Sequence, residues 1–145
     1  MKHTTMVNIL FILENFYGNS KLKNRKLKFP IYPASAPYIN LKNATYSRII
    51  PYFKNTNFNL YFSETTPNVG NNKNIKFDVD YEYIKVALNS KDWFAIIPCC
   101  KKAKDALDYL KIEYFHFLPH PVSFKWRRIL IEDCVNKLNK KYNEV

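Results

Sequence analysis

Glycine is scarce in this chain, with 2 in 145 residues. Walker-type and dinucleotide-binding loops need several positions where the backbone closely approaches a phosphate, so this scarcity argues against a nucleotide cofactor held in that way. Cysteine is also sparse. Cys99, Cys100 and Cys134 are too few for a four-thiolate iron–sulfur or zinc site, and no Cys-x-x-Cys spacing occurs; reduced thiols, no metal and no cofactor are expected. No apolar run is long enough to span a membrane. The run Val7–Leu13 is short, lacks a small-residue cleavage site and ends at Glu14, so it reads as a strand and not as a signal peptide. The expectation is a cytoplasmic monomer with no membrane partner.

Acidic residues are the remaining shortage, 12 against 23 Lys and Arg, for a formal net charge of +11. On so small a body that field favours a polyanion, through counterion release and steering, and nucleic acid is the first candidate. The competing explanation is a biased Lys- and Asn-rich composition on a solvated surface. What the chain has in plenty is apolar residues (47%) and aromatics (17%), enough for a packed interior. Its length suits one domain, 1–145.

Val7–Leu13 is continuously apolar and β-branched, as in a strand buried on both faces of a parallel sheet. Phe16 to Asn43, with Pro30, Pro33 and Pro37, reads as a long irregular loop of the kind that often carries function. Ala44 to Phe53 reads as a helix capped by Asn43 and limited by Pro51. A second strand over Phe58–Phe62 precedes a polar loop from Glu64 to Lys76, and a helix starts at Asp78 or Asp80 and runs to about Leu88. A third strand is predicted over Trp93–Ile97. Ala103, Ala106, Leu107 and Leu110 recur at helical spacing, Ile112–Phe117 reads as a fourth strand, and Trp126, Leu130, Cys134 and Leu138 mark one face of a last helix with Lys125, Arg127 and Arg128 in its first turn. Alternation of strands and helices implies an α/β fold, a three-layer α/β/α arrangement around a mostly parallel four-stranded sheet. Ligands then bind beyond the carboxyl ends of the strands. The segments Glu14–Asn19, Ser63–Asn68 and Leu118–Phe124 would share that edge, collecting carboxylates, amides, a histidine and a basic helix start at one mouth.

From Asp92 to Leu138 the sequence resembles the C-terminal half of the uracil-DNA glycosylase superfamily: a strand, a helix with Ala103-x-x-Ala106-Leu107, a short strand, then His120-Pro121-Val122-Ser123-Phe124 where the family has a His-Pro-Ser motif opening its last helix. Leu13-Glu14-Asn15-Phe16-Tyr17-Gly18 stands where the family carries its water-activating motif, Gly-Gln-Asp-Pro-Tyr-His, Gly-Ile-Asn-Pro-Gly or Gly-Glu-Ala-Pro-Gly in different branches. Asn15 matches the Asp or Asn, Glu14 the Glu of the third form, and Tyr17 the Tyr of the first. The leading Gly and the Pro are missing, which leaves Glu14 and Asn15 both open as the water-positioning group. The resemblance implies a glycosylase fold and base excision by water, with base flipping, no cofactor and a DNA partner.

Breaking a base–sugar bond builds positive charge on the sugar and negative charge on the base, so a site needs a group that places water and a donor for the base. Asn15 or Glu14 suits the first role and His120 the second; otherwise Asn15 is a cap or turn residue and His120 merely fixes a loop between prolines. A base must leave the stack to be cut. Phe124 matches the family's intercalating Leu, with Ser123, Lys125, Arg127 and Arg128 beside it for phosphates, unless Phe124 instead caps the core. Tyr17 and Phe29 are candidates to stack on the base, or are loop packing. In the family a Thr-Asn pair ends the second strand and reads uracil; here the pair is Ser63-Glu64. An ionised Glu64 is acceptor-only, which opposes uracil's carbonyl and accepts from a cytosine amine. The substrate expected is therefore a modified cytosine, as in defence against viruses with modified DNA. Tyr17 argues the other way, since the matching Tyr crowds the substituent's position, and a surface role for Glu64 is the rival. The alternatives are an inactive relative that senses modified nucleic acid, and a conventional uracil repair enzyme.

Overall fold

The computed structural model describes residues 5–15, 26–36, 39, 43–70 and 76–144. Their element order is β1 (Val7–Leu13), β2 (Tyr32–Pro33), α1 (Ala44–Ser47), a 3-10 turn (Ile50–Phe53), β3 (Phe58–Glu64), α2 (Tyr81–Asn89), β4 (Ala95–Pro98), α3 (Lys101–Tyr109) and α4 (Arg128–Asn143). The sheet order is β2-β3-β1-β4. β1 pairs in parallel with β3 on one side and β4 on the other, and β2 is antiparallel to β3. The chain is thus an α/β protein with an open, mostly parallel four-stranded sheet.

β1 is central because it is apolar on both faces. Ile9, Phe11 and Leu13 join one core with Tyr46 of α1, Phe53 of the 3-10 turn and Ile131, Cys134 and Leu138 of α4. Leu10 and Ile12 point the other way, onto Ile84 of α2 and Ala103, Ala106 and Leu107 of α3. The two-residue alternation of a strand thus sorts helices onto both faces. Phe62 of β3 stacks on Phe11 (5.4 Å between centroids), and Tyr46 meets it edge-on at 5.1 Å, which seats α1 over the end of β3.

Three sequence expectations need correction. The helix foreseen over 44–53 is broken: Asn43 caps α1 through its side chain, as anticipated, but Pro51 cannot donate to Ser47, and the chain re-forms as a 3-10 turn with that proline in its first positions. The fourth strand is β2, at the opposite edge from 112–117. Phe115 N–H does donate to Ile96 O (2.8 Å) beside β4, but the next bond of a parallel ladder would come from the amide of residue 98, which is proline. Finally, α4 begins at Arg128 with Arg127 as its N-cap residue, so Lys125 lies ahead of the helix.

Candidate functional site

The exits of β1 and β3 are tied together. Thr65 N–H donates to both Leu13 O and Glu14 O at 3.0 Å, its hydroxyl donates to Glu14 O at 2.6 Å, and Asp80 N–H closes the set onto Thr65 O. Ser63, Glu64, Thr65 and Thr66 are all buried, although the sequence reads as a polar loop from Glu64 onward. The order β3-β1-β4 makes β1 the strand on either side of which the chain's crossovers land, the place where open α/β sheets bind ligands.

Beyond that edge Asn15, Glu64 and His120 line one small pocket floored by Leu13, and Asn43, Thr45 and Tyr46 supply its α1 wall. Its volume is about 20 Å³, room for a single water molecule. A flipped pyrimidine requires the pocket to widen. The wall facing α1 is the His120 turn, and the Arg48 guanidinium at the end of α1 donates to Pro121 O, linking the two.

Glu64 is 5% exposed, and its buried Oε2 has no hydrogen-bond partner among the described residues. Burial, reinforced by the charge of Glu14, pushes its carboxyl well above the usual carboxylate range. A neutral acid both donates and accepts, so the shift runs against the ionised, acceptor-only Glu64 expected from the sequence, and its burial excludes the alternative of a surface residue. Its charged form would in turn raise the Tyr46 and Tyr83 hydroxyls, which burial already pushes up. Glu14 has a different environment. Its Oε2 lies 3.0 Å from Lys76 Nζ and 3.7 Å from Lys102 Nζ, an ion-paired group without a well-aligned hydrogen bond.

His120 Nδ1 accepts from Val122 N–H at 3.2 Å. In a neutral imidazole this leaves the proton on Nε2, free to donate. Burial holds the His120 pKa below its ordinary value; Glu14 opposes that shift and Lys76 adds to it. After His120 the backbone turns twice, Ser123 N–H bonding His120 O and Trp126 N–H bonding Ser123 O, while Ser123 Oγ accepts from Lys125 N–H. Phe124 stands out from this turn, 84% exposed, so it does not cap the core. Arg127 folds back onto the carbonyls of Phe124 and Trp126, Arg128 lies 3.5 Å from Glu132, and Lys125 is exposed.

The structure therefore gathers Asn15, Glu64 and His120 in one pocket and places Glu14 beside it. Phe29 is exposed against Tyr32 and does not line the pocket. Tyr17 lies outside the described residues, as do Asn71 and Asn72 of the loop after Glu64. Sequence reasoning missed Thr45, Tyr46, Lys76 and Lys102. No local pattern marks them, since each reaches the site only through the packing of α1, α3 or the chain before α2 on the sheet edge. Among the described residues no group of three or more His, Cys, Asp or Glu is placed to hold a metal ion, and no helix is long and apolar enough to cross a membrane.

No protein-family model matches the chain, and no curated protein or solved structure is significantly similar to it.

Proposed function

We propose that this chain is a hydrolase of N-glycosidic bonds acting at the carboxyl edge of a parallel sheet. Within that class it is a monofunctional DNA glycosylase that removes a flipped pyrimidine, a modified cytosine first among them, and leaves an abasic site. The observation that carries the reading is the meeting of Asn15, Glu64 and His120 around a water-sized pocket, with the Nε2–H of His120 free to donate. Asn15 and Glu14 place the attacking water, and His120 stabilises charge on the departing base. Phe124, exposed on the adjoining turn, fills the gap in the stack, and Ser123, Lys125, Arg127 and Arg128 hold phosphates around it. Of the two stacking candidates, Phe29 stands away from the pocket, and Tyr17, beyond the described residues, remains to stack on the base.

A neutral Glu64 can pair through its O–H with cytosine N3 and through its carbonyl with the N4 amine, which supports the cytosine class. The same group can also pair with uracil, so Glu64 alone does not exclude that base. Excision of a substituted cytosine, harmless to DNA that lacks it, suits defence against viruses with modified DNA.

The test is alkali-induced strand cleavage of oligonucleotides containing uracil, cytosine, hydroxymethylcytosine or its glucosylated form. Wild type is expected to generate alkali-labile sites, and His120→Ala to cut the single-turnover rate by about 10²–10³ while staying folded. Full activity with Ala at 120 would remove His120 from the mechanism. The smallness of the pocket favours a second reading, a non-catalytic sensor of modified nucleic acid, which predicts binding to the modified strand with no labile sites at all.

A further inference from the structure

Of the two carboxyl groups at the exits of β1 and β3, only that of Glu64 lines the pocket, and the two have opposite surroundings. Glu14, at the exit of β1, faces the ammonium groups of Lys76 and Lys102. Glu64, at the exit of β3, lines a pocket with His120 and Asn15, and among the described residues it faces no cation within ion-pairing distance and its buried Oε2 has no hydrogen-bond partner. An unsatisfied carboxyl oxygen in a native interior is costly and calls for a partner. Here the cavity before it supplies the space for one.

On the glycosylase reading above, we infer that Glu64 is the catalytic acid of this site, giving its carboxyl proton to the base as the base leaves. The groups around it agree. Tyr46 of α1, Tyr83 of α2 and Cys99 and Cys100 after β4 are held in their neutral forms by burial, and no side chain of these types carries positive charge, so none of them offers Glu64 a cation. Glu14 adds repulsion, and His120 is held toward its neutral form.

The step balances with water as the only co-reactant. The C1′–N1 bond breaks and its electron pair goes to the ring. The Glu64 proton passes to cytosine N3, so the base departs neutral. The water oxygen bonds to C1′, its proton passes to solvent, and uptake of a proton from solvent restores the Glu64 acid. A cytosine needs this help more than a uracil does, because its ring carries negative charge less well.

The experiment compares wild type with Glu64→Gln, which keeps shape, one donor and one acceptor but has no acidic proton. Two single-stranded probes are used, one with 5-hydroxymethylcytosine and one with 5-fluorouracil, whose base leaves as a stable anion. Loss of general-acid catalysis is expected to slow hydroxymethylcytosine release by about 10²–10⁴, and to slow fluorouracil release, which needs no proton on the leaving base, by at least about tenfold less. Infrared difference spectra at neutral pH should show a protonated carboxyl in wild type that Gln removes. Equal effects of Gln on both probes, or no protonated carboxyl, overturn the acid role and leave the glycosylase reading standing. Release of neither probe by wild type overturns both.

Discussion

At the scale of single residues, the site is defined by two groups whose charged forms the fold disfavours, Glu64 and His120. Each makes stability depend on pH, with opposite sign. The folded pKa of Glu64 lies above its unfolded value near 4.5; as pH rises past that value the unfolded chain releases a proton the folded chain retains, so stability falls up to the folded pKa. His120 has its folded pKa below 6.5, so as pH falls past 6.5 the unfolded chain binds a proton the folded chain refuses, and stability falls again. Thermal melts of Glu64→Gln should therefore exceed wild type at neutral pH, with the gain shrinking toward pH 4. His120→Asn should flatten the loss just below pH 6.5. A Glu64→Gln protein less stable than wild type at neutral pH, with that deficit shrinking on acidification, would mean that residue 64 is ionised and satisfied in the fold.

At the scale of elements, the connection from Leu118 to Arg127 carries most of the proposed DNA contact. It is pinned at one end, where Leu118 is buried and bonded to Pro98 O, and at His120–Pro121 by Arg48. Between those points and α4 it projects Phe124 and Lys125. If this turn grips the backbone, Lys125→Ala and Arg128→Ala should each weaken binding for all sequences and lower the slope of log K against log salt by roughly one. Arg127→Ala should do more, because its guanidinium also braces the turn through two carbonyls. Unchanged slopes in Lys125→Ala and Arg128→Ala would put the nucleic acid on another face. The elements themselves were largely legible: β1 from its unbroken apolar run, α3 from its alanines, and the caps of α1 and α2 at Asn43 and Asp80. Where reading failed, a proline was not given its full weight. Pro51 splits a helix and Pro98 withholds a ladder bond, each a missing donor whose effect depends on the partner it would have had.

At the scale of the whole molecule, the parallel order brings three distant segments to one edge, and that much followed from strand alternation. The burial of Glu64 did not. Local composition from Glu64 to Asn68 is that of a surface loop, and only the pairing of Leu13 with Glu64 and the ties made by Thr65 draw it inside. The lysines beside Glu14 were equally invisible, because nothing near Lys76 or Lys102 in sequence signals a carboxylate. A net charge of +11 favours a polyanionic partner without selecting a base, so on the proposed reading selection and chemistry fall to the pocket. The most direct measurement is mass spectrometry of free bases released when the protein is incubated with DNAs carrying uracil, cytosine, hydroxymethylcytosine or glucosylated hydroxymethylcytosine. The account predicts a free modified cytosine matched by an equal number of abasic sites, and a release rate reduced by about 10²–10³ with His120→Ala; intact DNA and no free base from every substrate would contradict it.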